Sequence, residues 1–358
     1  MNFDLSEDAK QLAGEARRFL SERAPLSRVR QSIETPGFDE ALWRELVALG
    51  WLGAGAAEHL GGAGLNHECV CALIEELGAA LTPTPAIAAF SALEALALAS
   101  DTDDQENWSS RIVNGDAIVA LAIGDGATAE LRNGRVYGVQ RLVAYGSAAG
   151  AYIVAANEAG DRVLCVVEAD AANVKATPVT TLDLLRPFAD VRFEGARATS
   201  LARGADVLRR VLDRLAILKA FEQLGGARAC LDMAVAHVKE RRAFGKPIGA
   251  FQALKHKLAR VFIEVELARS NAYFGAWALC AGQDEAKAAA IARISASAAF
   301  ALASRETIQV LGALGFTWEA DAHLYYRRAQ MLAGECGAAS HWKQRLLQRT
   351  GEAEHGLR

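Results

Sequence analysis

The hydrophobic spacing of this chain changes period twice, and few architectures tolerate such a change. From Ser6 to about residue 112 apolar side chains return every three or four positions, as Leu12, Ala16, Phe19 and Leu20 do. Ser6 stands where an N-cap is needed, with Glu7 and Asp8 in the first turn. Further helices are expected over 38–49, 66–80 and 86–100. From about 113 to 203 the pattern becomes strand-like, in AIVALAIG, RVYGVQRLVAYG, AYIVAAN, RVLCVVEA and FADVRFEGARA, with Asn133-Gly134 and the Ala159-Gly160-Asp161 region as hairpin turns. From Ala205 the helical period returns. Val207, Val211, Leu215, Leu218 and Phe221 line one side of a helix over about 205–242, followed by helices over 250–281, 284–312 and one or two between 319 and 350. Short strands with no helix between them argue for an antiparallel barrel or sandwich and disfavour a parallel nucleotide-binding sheet. Long helices with short connections make a bundle. The expected class is α+β: an N-terminal α-helical domain (1–112), a middle antiparallel β domain (113–203) and a C-terminal four-helix bundle (204–358).

Composition narrows the function. The chain has 358 residues and a net charge of -4 with signs mixed, so no basic field gathers phosphate backbones, and nucleic acid is not an expected partner. The start, MNFDLSEDAKQLAGEARRFLSER, carries acids early and lacks a signal peptide's apolar core. No segment reaches eighteen uncharged apolar residues, so no membrane association and a cytoplasmic location are expected. Cys69, Cys71, Cys165, Cys230, Cys280 and Cys336 are scattered, without zinc-site or disulfide spacing, and His237, His256 and His341 lie alone on helices, so no metal is expected. The glycine-rich GWLGAGAAEHLGGAGL reads as a packed loop, because no strand precedes it as a nucleotide-cradling loop requires.

The stretch KERRAFGKPIGAFQALKHKLA, residues 239–259, is helix, hard stop, helix. Arg241 and Arg242 complement a helix C-terminus, and Gly245 and Pro247 end the helix. Arg241 and Phe244, three apart and on one face, also set a phosphate-capable fork beside an aromatic plate, a pairing suited to a nucleotide-like ligand. A second stretch, IQVLGALGFTWEADAHLYYRRA at 308–329, repeats the logic: a helix ends at Gly312-Ala313-Leu314-Gly315, where Gln309 and open backbone can approach a flat ligand. Beyond it, His323 beside Asp321 reads as part of a helix start rather than a catalytic dyad.

Together the two stretches resemble the acyl-CoA dehydrogenases, and the glycine-rich segment followed by CALIEELGAALTPTP is similar to that family's N-terminal domain, so the resemblance runs nearly the full length. It implies an FAD-dependent enzyme built as helical domain, middle β-barrel and four-helix bundle, and normally tetrameric. It implies that Arg241, Phe244, Gln252, Gln309 and Gly312 reach across a subunit interface to the adenosine diphosphate half of a neighbour's FAD. It also implies removal of the α-proton of an acyl-CoA thioester by a carboxylate, loss of a β-hydride to flavin, a trans-2-enoyl-CoA product, and an electron-transfer flavoprotein as oxidant.

This chain departs from the family at the base. Counted without gaps from Gln309 to Phe316, the family's glutamate falls on Cys336 in GECGAAS, with Glu335 one position early and Ala338 where a threonine is usual. In a helix, adjacent side chains point about 100° apart, so Glu335 serves only if the backbone shifts. The family's second base position matches Leu215, flanked by Asp213 and Glu222. The middle domain shows LAIGDGATAELRNGRV, with Gly124-Asp125-Gly126 in place of the family's flavin loop, and QRLVAYG lacks the usual tryptophan. Some bacterial members are α2β2 assemblies in which one chain type lacks the base, and the segment from Ala220 to His256 is similar to such chains. The expected role is therefore the base-less subunit of a heteromeric acyl-CoA dehydrogenase. A homotetramer using Glu335 and a non-redox scaffold stay open as alternatives.

Overall fold

The computed structural model describes residues 5–35, 37–99, 103–124 and 129–355, with side chains described to 348. The chain divides into two compact units, one formed by Met1–Arg28, Cys71–Thr82 and Ala216–Arg358, the other by Val29–Val70 and Pro83–Leu215.

The first unit is helical. It contains α1 (Glu7–Arg23), the start of α2 (Leu26–Gln31), the end of α4 (His67–Ala79), most of α7 (Ala205–Glu240), and α8 (Gln252–Ala281), α9 (Glu285–Leu311), α10 (Ala322–Leu332) and α11 (Ala339–His355). Ser6 caps α1 by accepting from the Ala9 amide at 3.4 Å. α9 packs against α8, α10 and α11. Small residues bring helices close. A Cβ on Gly226 of α7 would lie 2.4 Å from the Phe300 ring of α9, and one on Gly225 would lie 1.9 Å from the Glu75 carbonyl of α4. The helical period thus marks α7, α8 and α9 to within a few residues, and the one or two helices expected between 319 and 350 are two, α10 and α11, separated by a turn at 333–338.

The second unit holds α3 (Glu40–Ala48), α5 (Ala86–Ala97), α6 (Asp103–Val113) and a sheet of eight strands: β1 (Val119–Ala122), β2 (Ala129–Arg132), β3 (Arg135–Ala144), β4 (Ala151–Glu158), β5 (Asp161–Glu168), β6 (Val174–Val179), β7 (Phe188–Arg197) and β8 (Thr199–Arg203). The glycine-rich loop packs as expected, since a Cβ on Gly62 would sit 2.1 Å from the Ala56 carbonyl oxygen. Asn133-Gly134 and Ala159-Gly160 form the hairpin turns, all four in the left-handed region. Alternate residues Tyr152, Val154 and Ala156 meet Val163, Cys165 and Val167 in one core.

The sheet corrects the antiparallel barrel. Its strands run β6-β7-β3-β2-β4-β5-β8, and the terminal strands β6 and β8 do not pair, so the described strands do not close. β1 and β2 both run parallel to β4, the first against 151–154 and the second against 156–157, like two halves of one interrupted strand. Side-chain alternation records which face a residue takes and not which way its neighbour runs. Of the Gly124-Asp125-Gly126 segment, Asp125 and Gly126 lie outside the described residues.

Candidate active site and cofactor platform

Glu335 lies in the turn after α10, where Gly334 and Glu335 donate backbone bonds to the Met331 carbonyl. Cys336 follows in the left-handed region (φ 56°), then Gly337 (φ 95°), and the Cys336 carbonyl accepts from Trp342 Nε1 at 3.0 Å. The segment is a turn rather than a helix, so the spacing argument that set Glu335 aside does not govern where its side chain goes. That side chain reaches α7, where Glu335 Oε2 lies 2.9 Å from Lys219 Nζ.

Lys219 belongs to a buried charge network. Lys219, Glu222 and Gln223 stand at i, i+3 and i+4 on one face of α7. Lys219 Nζ is 3.3 Å from Glu222 Oε2, and Glu222 Oε1 is 3.2 Å from the Arg328 guanidinium on α10. From α9, Arg293 donates to Gln223 and Ser297 and, through its other terminal nitrogen, to the carbonyls of Leu332 and Glu335, the last at 2.6 Å. Burial lowers the Arg293 pKa, against the pull of Cys336, Glu335 and Glu222, whose negative charge favours the cation. Arg293, Arg328 and Glu222 are each 1% exposed, so Glu222 and Arg328 are held by each other, and Arg293 by Gln223, Ser297 and two backbone carbonyls, rather than by water. The turn that carries Glu335 is thereby fixed at both its backbone and its carboxylate. Chemically, an ammonium partner stabilises a carboxylate as the anion and so weakens it as a base toward a proton on carbon. At the second base position Leu215 is a buried apolar residue, Asp213 is buried, and Glu222 is engaged by Lys219 and Arg328.

The residues of the two helix breaks face outward. After α7 ends at Glu240, two short strands, β9 (Arg242–Ala243) and β10 (Lys246–Pro247), pair as a hairpin with Phe244 and Gly245 at its tip, both with positive φ. Arg241 and Phe244 therefore do not share a helical face; the ribbon was missed because its strands are too short to show a period. Phe244 is 94% exposed, its ring edge-on to Phe251 at 6.2 Å. Arg241 and Gln252, the first residue of α8, are also exposed. Gln309 is exposed in the last turn of α9, and Gly312 caps that helix at φ 65° with nothing within 4 Å of where a Cβ would stand. An exposed cation, an exposed ring and a bare glycine backbone suit a phosphate and a flat base offered by another molecule. His323 stacks on Trp318 at 4.7 Å.

Among the described residues no group of His, Cys, Asp or Glu is arranged to hold a metal ion. One helical segment, Glu285–Phe316, is long and apolar enough to cross a membrane by composition, and 56% of its most apolar window is buried within the fold.

Sequence reasoning missed Lys219, Arg293 and Arg328. Arg293 had a signal: a single arginine inside the alanine-rich run AKAAAIARISASAAFALA, a place where only a buried partner justifies a charge.

Residues 202–339 match the acyl-CoA dehydrogenase C-terminal domain and residues 6–116 the acyl-CoA dehydrogenase N-terminal domain. The chain is 32% identical to the acyl-CoA dehydrogenase IpdE2 of Mycolicibacterium smegmatis, with 96% of this chain and 98% of that protein covered. It is 33% identical to the acyl-CoA dehydrogenase FadE34 of Mycobacterium tuberculosis over 87% of its own length, and spans 43% of that longer relative. Among solved structures, the ChsE4-ChsE5 complex from Mycobacterium tuberculosis is similar with a TM-score of 0.92 and 26% identity, covering 98% of this chain and 99% of that one.

Proposed function

The chain belongs to the acyl-CoA dehydrogenase family, and from that premise we propose that it is the base-less subunit of a heteromeric enzyme that converts an acyl-CoA thioester to its trans-2-enoyl-CoA in the cytoplasm. The observation that carries the reading is the ion pair between Glu335 and Lys219 at 2.9 Å, inside a network that also clamps the Glu335 carbonyl. The one carboxylate beside the family's base position is held in a structural role. Abstraction of a thioester α-proton is demanding even for a free carboxylate in a water-excluded site, and a carboxylate stabilised as the anion by an ammonium partner is a weaker base for it.

Arg241, Phe244, Gln252, Gln309 and Gly312 are assigned to the adenosine diphosphate half of an FAD carried by the partner chain. Their exposure supports this, because side chains open to solvent are accessible to another chain's cofactor. FAD, when bound, supplies the acceptor for the β-hydrogen, and this chain's part is to grip the cofactor's polar end. An electron-transfer flavoprotein is the assigned oxidant, and the partner is a chain of the same family with an intact base. The three-part division at 112 and 203 is proposed along with this role.

The test is flavin absorbance and enoyl-CoA formation by the chain purified alone and then with a base-bearing partner, each with Glu335→Gln. The expected outcome is a colourless, inactive chain that gains both properties with its partner and is indifferent to Glu335→Gln. A yellow chain, active alone and silenced by that change, makes Glu335 the base of a homomeric enzyme. A chain that needs no flavin in any pairing is a scaffold.

A further inference from the structure

The outer face of the sheet in the second unit breaks a rule of strand pairing. Along β2, β3, β7 and β6 alternate residues, Leu131, Val136, Phe193 and Ala176 among them, enter the core, so their neighbours in sequence stand on the opposite face. There the register sets cation against cation. Arg197 of β7 faces Arg135 of β3, Arg135 faces Arg132 of β2, and Lys175 of β6 faces Arg192 of β7. All five side chains are exposed. Directly opposed side chains lie about 5 Å apart at Cβ, and like charges so placed destabilise a sheet. Counter-charges within the chain leave most of the conflict standing. Arg132 pairs with Glu130, but Arg135 donates to the Gly195 carbonyl at 2.8 Å, and Lys175, Arg192 and Arg197 have no ion-pair partner among the described residues.

Three carboxylates share the face. Glu130 is engaged by Arg132, Asp190 accepts from the Leu142 amide at 3.0 Å, and Glu194 stands opposite Tyr137. The surplus is therefore positive, on a chain whose net charge is -4. Tyr137, 40% exposed, sits among the arginines, with Arg132 over its ring at 5.9 Å. An anion complements such a surface, and the form of the surface narrows the source. A small anion is held in a concave site, whereas these side chains are exposed on a sheet. An extended polyanion, a nucleic acid or a lipid surface, meets the negative field of the rest of the chain. Arginine and tyrosine are enriched at protein interfaces, and arginine grips a carboxylate through two bonds at once. We propose that the outer face of β6, β7, β3 and β2 docks a partner protein through an acidic patch on that partner. The opposed cations break a local rule of the sheet, and docking supplies the compensating charge. This surface is separate from Glu335 and from the proposed flavin contacts, which lie in the first unit.

The test is fluorescence anisotropy of a labelled deca-glutamate peptide titrated with the full chain, beside an oligothymidylate of the same length and phosphatidylserine vesicles. The peptide is expected to bind saturably and more tightly than either polyanion. Arg135→Glu and Arg197→Glu are each expected to weaken it by at least about tenfold, while Arg260→Glu, at an exposed position of α8 in the first unit, changes it by less than about twofold. Arg192→Glu turns an opposed pair into a matched one. In the free chain it is expected to raise the melting temperature by about 1 °C or more, the rise shrinking in about 1 M salt, while peptide affinity falls. A folded wild-type chain that does not bind the peptide, or that prefers the oligonucleotide or the vesicles, overturns the proposal. So does binding that Arg135→Glu and Arg197→Glu leave unchanged, binding that Arg260→Glu weakens equally, or an Arg192→Glu chain that melts below wild type.

Discussion

Lys219 stands in the apolar run LAILKAFEQL, where a lone lysine beside a glutamate reads as a local i, i+3 pair. Its second partner, Glu335, comes from a turn far along the chain, and no spacing rule connects the two. The same limit applies to Glu75 on α4. It is 5% exposed and lies 3.4 Å from Arg228 on α7, yet burial outweighs the arginines and raises its pKa. A carboxyl raised above its unfolded value stabilises the fold below the unfolded pKa, and that contribution is lost as pH climbs through the folded one. Glu75→Gln removes the titration while keeping the shape. The variant is expected to gain in melting temperature relative to wild type as pH goes from about 5 to about 8. Melting curves in that range check it, and a variant-minus-wild-type difference that falls with rising pH contradicts the assignment.

At the scale of elements, α7, α8 and α9 were legible because each keeps a 3.6-residue period over at least 27 residues, long enough for a pattern to outweigh local exceptions. The hairpin turns were legible for a different reason: Asn-Gly and Ala-Gly-Asp permit positive φ where the strands need it. What stayed hidden was relational. The parallel course of β1 and β2 along β4 and the two-residue ribbon at 242–247 depend on contacts that no local pattern encodes. Helix crossing points fall in the same class, and glycines expose them. Gly14 on α1 has open space around it, so Gly14→Ala is expected to stabilise by about 0.5–1 kcal/mol through helix propensity alone. Gly225 sits where α7 touches α4, a Cβ there being 1.9 Å from the Glu75 carbonyl oxygen and 2.8 Å from the Ala79 amide. Gly225→Ala is expected to cost at least about 1–3 kcal/mol, since neither backbone can yield without parting the helices. Opposite signs in denaturant midpoints for one chemical change confirm that packing, not propensity, sets the second value.

For the whole molecule, the division of labour is between charges turned inward and contacts turned outward. Lys219, Glu222, Arg293 and Arg328 are buried, and their removal is a question of folding. Phe244 and Arg241 are exposed and their removal is a question of association. This contrast gives the reading of the chain as a partner subunit a test that does not rest on the base. Phe244 holds φ 51°, a conformation asparagine tolerates well, so Phe244→Asn keeps the turn while deleting the ring. Arg241→Glu reverses the charge beside it. In the isolated chain each change is expected to alter stability by no more than about 0.5 kcal/mol, the ordinary range for surface positions. In the complex with a base-bearing partner both are expected to release flavin, Arg241→Glu by at least about tenfold in affinity because a charge-assisted contact becomes a repulsive one. Flavin retained on desalting, compared across the two variants and wild type, reads the effect directly. Full retention in both places the cofactor's polar end elsewhere. Loss of flavin together with a fall in the isolated chain's melting temperature makes the two residues structural rather than ligand-facing.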